Sequence, residues 1–236
     1  IKQWFDSELS DDWQIWLQIE GKVSEPFYPQ KDTTLKYTLP EFGIEMPFRP
    51  GDFTQINTDT NRLMVSRAIK MLDIRQGERV ADLFCGLGNF SLPIAKSGAS
   101  VVGVEGAENL VGRARQNARL NGCGGQTDFI AANLFDCTEN TVASWGKFDK
   151  MLIDPPRSGA YEVVRSLKPP YLPKKIVYVS CNPSTLARDA GVLVEKGYIL
   201  GQVGIMNMFA HTSHVESIAV FELTSEIRKA GFKDKK

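Results

Sequence analysis

An alternation of short apolar runs with amphipathic segments, from residue 79 to residue 223, constrains the fold more than any other feature of the sequence. The apolar runs predict buried strands at 80–84, 100–104, 128–131, 150–153 and 176–179, with helical patterns at about 107–120, 162–167 and 183–195 among them. Repeated strand–helix–strand units predict a doubly wound parallel α/β sheet with helices on both faces. Two further apolar runs, at 198–206 and 215–223, have no helix between them, which predicts an antiparallel last strand.

Residues 1–50 lack this rhythm. Five prolines divide them into short pieces, and alternating apolar runs at 13–19 and 34–39 predict strands. A polar loop and a helix predicted at 58–74 lead from this region into the alternating one. We therefore predict a small, partial β-containing subdomain at 1–50, a catalytic α/β domain at 51–223 and a disordered basic tail at 224–236.

The composition argues against several classes of protein. The 236 residues have a net charge of zero, which gives no electrostatic sign of a nucleic-acid partner. No apolar run approaches the roughly 20 residues that a membrane span requires. Neither a metal site nor a disulfide framework is predicted, and a reducing cytoplasm is expected, because the four cysteines are far apart and form no CxxC pair: Cys85, Cys123, Cys137 and Cys181.

The turn after the first strand of the alternating region suits a small ligand. Gly86 and Gly88 let the backbone approach a ligand at a helix start, but Ser91 stands where a dinucleotide-binding fingerprint has its third glycine. Glu105 ends the next strand, 17 residues after Gly88, where a ribose-binding carboxylate belongs. The acid at Asp82 disfavours an anionic pyrophosphate and suits the sulfonium and ammonium of S-adenosylmethionine, so this methyl donor is the predicted cofactor.

Two strand ends predict the acceptor of the methyl group. The strand at 150–153 ends in Asp154-Pro155-Pro156-Arg157, which resembles a motif of amino-methyltransferases but has Arg157 in place of their aromatic residue. The strand at 176–179 leads to Cys181, whose thiol precedes a helix, so the helix N-terminus is expected to help lower its pKa. An exocyclic amine needs no thiolate, whereas C5 of uracil becomes nucleophilic only after a thiolate has added to C6. Cys181 is therefore the predicted nucleophile toward a uracil.

Glu216 is the predicted base that removes the proton from C5. It begins the last apolar run, where partial desolvation should raise its pKa into a range that suits proton abstraction. His211 and His214 lie just before it. Without a clustered cysteine or a second histidine pair, we assign them to loop orientation or phosphate contact rather than to a metal.

Five motifs together resemble the RNA uracil-5-methyltransferases over about residues 35–223. They are Phe53-Thr54-Gln55-Ile56-Asn57, the turn at 82–91, the segment 154–157, Ser180-Cys181-Asn182-Pro183 with Thr185-Leu186-Ala187-Arg188-Asp189, and the segment 211–216. The resemblance is strongest to the branch that modifies bacterial 23S ribosomal RNA. It implies a class I S-adenosylmethionine-dependent methyltransferase fold, with Cys181 as nucleophile and Glu216 as general base. It also implies that the donor is bound by Gln55, Phe84, Gly86, Asn89, Glu105, Asn133 and Asp154.

The resemblance further implies a cytoplasmic, monomeric enzyme that methylates an exposed or flipped uridine of 23S rRNA. Members of this branch carry an N-terminal RNA-binding domain and a cysteine-ligated iron–sulfur cluster, and we expect both only in a region preceding residue 1. Two alternatives stay open. One is a transfer-RNA uracil-5-methyltransferase, and the other is a catalytically silent RNA-binding domain with the same fold.

Overall fold

The computed structural model describes residues 2–8, 13–18, 24–29, 34–208, 210–212 and 214–225. Within these ranges the N-terminal elements are α1 (Lys2–Glu8), β1 (Ile15–Leu17), β2 (Glu25–Tyr28), β3 (Leu35–Leu39) and β4 (Ile44–Phe48). They are followed by α2 (Thr58–Leu72), β5 (Arg79–Leu83), α3 (Ser91–Lys96), β6 (Ser100–Glu105), α4 (Glu108–Leu120), β7 (Thr127–Ala131), α5 (Glu139–Trp145) and β8 (Lys150–Ile153). The last elements are α6 (Tyr161–Ser166), β9 (Lys175–Ser180), α7 (Pro183–Glu195), β10 (Tyr198–Met206) and β11 (Glu216–Leu223). Most of the predicted basic tail lies outside the described residues.

A seven-stranded sheet in the order β10-β11-β9-β8-β5-β6-β7 organises the molecule. Strands β5 to β9 pair in parallel, as the strand–helix alternation predicts. Strand β11 is antiparallel to both of its neighbours, β9 and β10. The predicted doubly wound sheet with a reversed last strand is therefore confirmed. One consequence matters for the site: β11 begins at the edge where β9 ends.

Two apolar cores cover the two faces of the sheet. Successive residues of β9 alternate between them, with Val177 and Val179 in one core and Ile176 and Tyr178 in the other. The first core contains residues of α2, α3 and α4, and the second contains residues of α5, α6 and α7. Strands that are apolar on both faces are typical of a sheet covered by helices on both sides.

Side-chain caps fix where the helices at the sheet edge begin. The Asn57 side chain accepts a hydrogen bond from the backbone N–H of Thr60 and starts α2. The Asn182 side chain accepts one from Ser184, and Pro183 occupies the first turn of α7. Cys181 is thus held between the end of β9 and a capped helix.

The β3–β4 hairpin packs against the main sheet. Its residues Leu39, Ile44 and Met46 are buried in the same core as α2 and β5. The side chain of Asn121, at the end of α4, exchanges two hydrogen bonds with the backbone of Glu45, at 2.9 and 2.7 Å. The hairpin is therefore part of the catalytic core, while strands β1 and β2 form a separate two-stranded sheet. The domain boundary at residue 50 stays a prediction.

Among the residues that the structure describes, no helix is both long and apolar enough to cross a membrane.

Candidate active site

A cavity of about 480 Å³ opens at the carboxyl edge of the parallel strands. In open α/β sheets, ligands bind at this edge. The cavity wall includes all nine residues that the sequence singled out: Gln55, Phe84, Gly86, Asn89, Glu105, Asn133, Asp154, Cys181 and Glu216. Residues that lie up to 161 positions apart in the chain thus meet at one place.

The turn after β5 forms the floor of the cavity and is fixed by Glu105. The Glu105 carboxylate accepts hydrogen bonds from the backbone N–H groups of Gly86, at 3.1 Å, and Ala107, at 3.0 Å. Phe84 opens the turn with a φ of +62°, which is unfavourable for a residue that carries a Cβ. A strained residue at a strand end is a common feature of ligand sites.

Asp82 is the next-to-last residue of β5 and lies just before this turn. It is fully buried, and its Oδ2 accepts a 2.5 Å hydrogen bond from the Ser91 hydroxyl. Within the described part of the chain, its Oδ1 has no hydrogen-bond partner. Burial raises the pKa of Asp82 to about 7, although the bond from Ser91 opposes this shift. An under-compensated carboxylate beneath the turn favours a positively charged ligand.

Asn89 is held by two residues that the sequence analysis did not identify. Its side chain exchanges two hydrogen bonds with the buried amide of Asn61 on α2, at 3.0 and 2.9 Å. Its Oδ1 also accepts a 2.9 Å hydrogen bond from the hydroxyl of Tyr37 on β3, and Tyr37 itself lines the cavity. The hairpin and α2 thereby fix the amide that faces the cavity.

Asn133 and Phe135 form the wall that follows β7. The Asn133 side chain accepts a 3.0 Å hydrogen bond from the N–H of Phe135 and donates one to Asp136 at 2.5 Å, so it caps a short 3-10 helix. The Phe135 ring lies 5.7 Å from the Phe84 ring, between centroids, at an angle of 54°. Sequence analysis missed Phe135, which gives the cavity a second aromatic surface beside Phe84.

The loop that carries Gln55 is anchored outside the cavity. Asp52 accepts hydrogen bonds from the Arg49 backbone N–H, at 2.8 Å, and from the Arg113 guanidinium on α4, at 3.2 Å. This anchor leaves Phe53, which is 69% exposed, at the mouth of the cavity beside Gln55. An exposed aromatic ring at a cavity mouth provides a stacking surface for a base.

Cys181 and Glu216 are brought together by the reversed strand. In the β9–β11 ladder, Ser217 pairs with Ser180, and the Ser217 hydroxyl donates a 2.9 Å hydrogen bond to the Ser180 carbonyl. Glu216 and Cys181, which each lie one position further toward the cavity, are therefore opposite one another on adjacent strands. Neighbouring strands are about 4.8 Å apart, a spacing that suits two side chains acting on one small ring.

Burial is the main cause that raises the pKa values of the acidic groups around the thiol. Burial raises the pKa of Asp154 to about 7. Burial, reinforced by the nearby Asp154, raises the pKa of Glu216 to about 8. The raised pKa of Glu216 agrees with the expectation from its position at a strand start.

The lowered thiol pKa expected from the α7 N-terminus is not found. Burial raises the pKa of the Cys181 thiol, and the charges of Glu216 and Asp154 raise it further. The backbone of Cys181 itself and the Arg157 guanidinium act in the opposite direction but do not outweigh them. The expected lowering of the pKa was wrong because burial of the thiol, together with the nearby Glu216 and Asp154, outweighs the helix N-terminus, and both depend on the order of the strands.

Arg157 links the acidic side of the cavity to the loop before Glu216. Its guanidinium lies 3.0 Å from the His214 ring nitrogens. His211, in the same loop, has a φ of +62°. The loop orientation expected of His214 is consistent with this contact.

The reversed strand β11, the glycine turn after the central strand β5 and the carboxylate at the end of β6 define a class I S-adenosylmethionine-dependent methyltransferase fold. The family model described as tRNA (Uracil-5-)-methyltransferase matches residues 34–223. The chain belongs to this family of RNA uracil-5-methyltransferases.

Two individual relatives within this family share a high sequence identity with the chain. The chain is 84% identical to the 23S rRNA (uracil(1939)-C(5))-methyltransferase RlmD of Neisseria lactamica over 229 residues, which are 97% of this chain and 51% of the relative. It is 60% identical to the RlmD of Aromatoleum aromaticum over 211 residues, 89% of this chain and 49% of the relative. The chain therefore spans about half the length of the curated relatives it matches.

Solved structures agree on the fold. The Pyrococcus abyssi tRNA (uracil-54, C5)-methyltransferase in complex with S-adenosyl-L-homocysteine matches with a TM-score of 0.68 and 29% identity, covering 80% of this chain and 44% of that one. The structure of M. jannaschii TYW2 in complex with AdoMet matches with a TM-score of 0.60 and 17% identity, covering 85% of this chain and 91% of that one. The second likeness shows the fold alone.

Proposed function

We propose that the chain transfers a methyl group from S-adenosylmethionine to C5 of a uridine in 23S rRNA, in the bacterial cytoplasm. The observation that carries the proposal is the alignment of Cys181 with Glu216 across β9 and β11, in the cavity that the glycine turn also lines. C5 methylation of uracil requires a thiol that reaches C6 and a base that reaches the proton on the adjacent C5. The 84% identity to an rRNA-methylating relative supports 23S rRNA as the substrate.

The cavity residues fit the donor. Among the described residues, the cavity wall carries three carboxylates, those of Glu105, Asp154 and Glu216, against one guanidinium, that of Arg157. This excess of acidic groups suits a sulfonium and an ammonium better than a pyrophosphate. Phe84 and Phe135 supply apolar faces for the adenine ring. Each Glu105 oxygen accepts one backbone hydrogen bond and keeps a lone pair for a ribose hydroxyl. When bound, the donor supplies the electrophilic methyl group.

Cys181 begins the chemistry. Once the thiol proton has passed to solvent, the thiolate adds to C6 of the uracil, and the electrons of the C5–C6 double bond move toward O4 as an enolate. C5 of this enolate takes the methyl group, whose bond to the donor sulfur breaks to leave neutral S-adenosylhomocysteine. Burial, reinforced by Glu216 and Asp154, raises the pKa of the Cys181 thiol and so disfavours the thiolate before the donor binds. A positive charge entering the cavity favours the thiolate, so the thiol becomes reactive once the donor is in place.

Glu216 ends the reaction. It removes the proton from C5, the electron pair re-forms the C5–C6 double bond, and the Cys181–C6 bond breaks to return the thiolate. A carboxylate with a pKa of about 8 is a stronger base than an ordinary glutamate, so burial improves this step once the group is ionised. The proton then leaves to solvent through the cavity mouth.

Covalent trapping tests the two residues in the complete protein. RNA with 5-fluorouridine at the target has no removable proton at C5, so the wild-type protein should remain attached to it in a denaturing gel. Cys181→Ala should bind the donor but form no adduct, whereas Cys123→Ala, which removes a buried thiol outside the cavity wall, should still form it. An adduct with Cys181→Ala would exclude this thiol as the nucleophile.

Glu216→Gln addresses the final step separately. On unmodified RNA this variant should transfer the methyl group and then stay bound, because no base removes the C5 proton. Mass spectrometry of the trapped species should show protein, RNA and one added methyl group. Release of product at the wild-type rate would contradict the role of Glu216.

Transfer RNA is the second candidate substrate, because the family description and the P. abyssi structure both refer to it. The two substrates are distinguished by offering the complete protein 23S rRNA and tRNA transcripts in equal amounts and locating 5-methyluridine by mass spectrometry. Methylation of tRNA alone would replace the proposed substrate. Donor binding without methylation of either RNA would favour a catalytically silent domain.

A further inference from the structure

A cluster of polar side chains on β9 and α7 lies behind the cavity, outside the residues that form its wall. We call it the loop clamp and define it as Tyr178, Thr185, Arg188 and Asp189. Tyr178 and Asp189 are fully buried, although burying a carboxylate is costly without partners. The Asp189 carboxylate accepts hydrogen bonds from the Tyr178 hydroxyl, at 2.6 Å, and from the Arg188 guanidinium, at 2.8 Å.

The loop clamp holds the backbone of the loop that follows Asp154. Asp189 accepts a 2.7 Å hydrogen bond from the N–H of Ala160, and Arg188 donates one of 2.9 Å to the Ser158 carbonyl. The Thr185 hydroxyl donates to the Arg157 carbonyl at 3.2 Å. Side chains from two successive turns of the helix that begins beside Cys181 therefore hold three backbone groups of this loop.

Gly159 shows how close the loop and the helix are. Its φ is +79°, and a Cβ at this position would lie 2.6 Å from the Arg188 Nη2, 2.8 Å from the Asp189 Oδ2 and 3.0 Å from the Thr185 Cβ. The loop has no room to shift toward α7, and the hydrogen bonds prevent it from moving away. Its conformation is therefore set by the helix that carries the nucleophile.

We infer that Asp189, through the loop clamp, is a positioning residue for the proposed methylation. The fastened loop carries Asp154 and Arg157 into the cavity, and Arg157 reaches His214 on the loop that leads to Glu216. Helix α7, which begins beside Cys181, the loop that follows Asp154 and the loop before Glu216 are thus joined by hydrogen bonds. Asp189 sets the orientation of Arg157 relative to Cys181 without touching the RNA or the donor. This inference rests on the proposed function.

The test compares Asp189→Asn and Tyr178→Phe with a matched control in the complete protein. Tyr198→Phe also removes a buried hydroxyl, which donates a 2.8 Å hydrogen bond to the Pro173 carbonyl far along the sheet. For the two clamp variants we expect kcat for RNA methylation to fall by about 10- to 100-fold, the range associated with a misplaced catalytic constellation. Their dissociation constant for the donor should change much less than kcat, because the Leu83 carbonyl holds the Asp154 N–H at 3.2 Å independently of the clamp. Tyr198→Phe should keep the wild-type kcat.

Amide exchange gives a readout that does not depend on catalysis. The Ala160 N–H, which donates to Asp189, should exchange faster in Asp189→Asn than in wild type, while amides of β6 stay protected. If Asp189→Asn does not fold, Thr185→Val removes a single hydroxyl bond to the loop at similar side-chain volume and should lower kcat by a smaller factor in the same direction.

The outcomes distinguish failure of the proposed methylation from failure of the positioning role of Asp189. A wild-type protein that methylates no RNA would contradict the proposed function. A wild-type protein that methylates RNA, with Asp189→Asn folded and equal to it in kcat, would overturn the clamp. An equal loss in Tyr198→Phe would do the same, because it would reduce the effect to general stability.

Discussion

Donor binding to this cavity is expected to release protons and to strengthen as the pH rises. Glu216, with a pKa of about 8, and Asp154, with a pKa of about 7, hold protons in much of the neutral range because burial penalises their charged forms. The donor's methyl carbon must reach a ring held between Cys181 and Glu216, so its sulfonium has to lie near these acids. A cation at this place favours the ionised carboxylates and lowers their pKa values.

The size of the effect follows from proton linkage. Below the pKa of a group that loses its proton on binding, the association constant rises tenfold per pH unit. If the bound cation lowers the pKa of Glu216 from about 8 to well below 6, the association constant rises by up to about 100-fold between pH about 6 and about 9. Loss of a proton from Asp154 would steepen the lower half of this range.

Titration calorimetry in two buffers of different ionisation enthalpy counts the protons directly. S-adenosylhomocysteine is the matched ligand, because it lacks the methyl group and the sulfonium charge. We expect the affinity ratio of S-adenosylmethionine to S-adenosylhomocysteine to rise with pH, and the rise to be smaller in Glu216→Gln. A ratio that stays constant from acid to alkaline pH would refute the link between carboxylate burial and donor charge.

The same carboxylates predict how stability changes with pH in the ligand-free protein. Their folded pKa values lie above the ordinary values near 4, so the folded state binds more protons than the unfolded chain between about pH 4 and pH 8. The free energy of unfolding should therefore decrease as the pH rises through this window. Chemical denaturation at several pH values, with and without donor, measures it.

Two further substitutions test the packing of the hairpin and the floor of the cavity. Met46→Ala should lower the free energy of unfolding by about 2–5 kcal/mol, because it truncates a fully buried side chain, whereas Leu120→Ala, at a side chain that is 60% exposed, should change it by less than about 0.5 kcal/mol. Urea titration measures both, and equal losses would contradict the assignment of the hairpin to the core. Glu105→Ala removes the acceptor of two backbone hydrogen bonds and should weaken donor binding by about 10- to 100-fold in calorimetry. The exposed Glu108→Ala is its control, and an equal loss there would point to net charge instead.

The periodicity of apolar residues was sufficient to predict most strands and helices of the main sheet. Strand β8, helix α7 and strand β10 begin and end at the predicted residues, because each is bounded by strong local signals such as Pro183 at a helix start. Helix α5 was missed, since it places only two apolar side chains, Val142 and Trp145, in the core. Its capping box at Thr138 and Thr141 was the available local signal. Strand β4 was missed because Pro47 interrupts its pattern.

The site residues that could be predicted from the sequence are those that lie at the ends of strands. Glu105, Asp154 and Cys181 each follow a recognisable apolar run, and the sheet brings such positions to one edge. Tyr37 and Asn61 gave no such signal, because their contacts with Asn89 join segments 52 and 28 residues apart. Their roles depend on how the hairpin and α2 pack, which local pattern does not encode.

Because the last strand, β11, carries Glu216, the site is completed only at the end of synthesis of this domain. A nascent chain that has emerged as far as β10 contains the donor turn and the Cys181 thiol but no carboxylate opposite it. Residues Ser217 to Glu222 pair with β9, so the last strand lies between β9 and β10, in the interior of the sheet rather than at its edge. Under the proposed mechanism, an incomplete polypeptide would carry the nucleophilic thiol without the base that releases it from RNA. Insertion of the final strand would then complete the pair of residues that turnover requires.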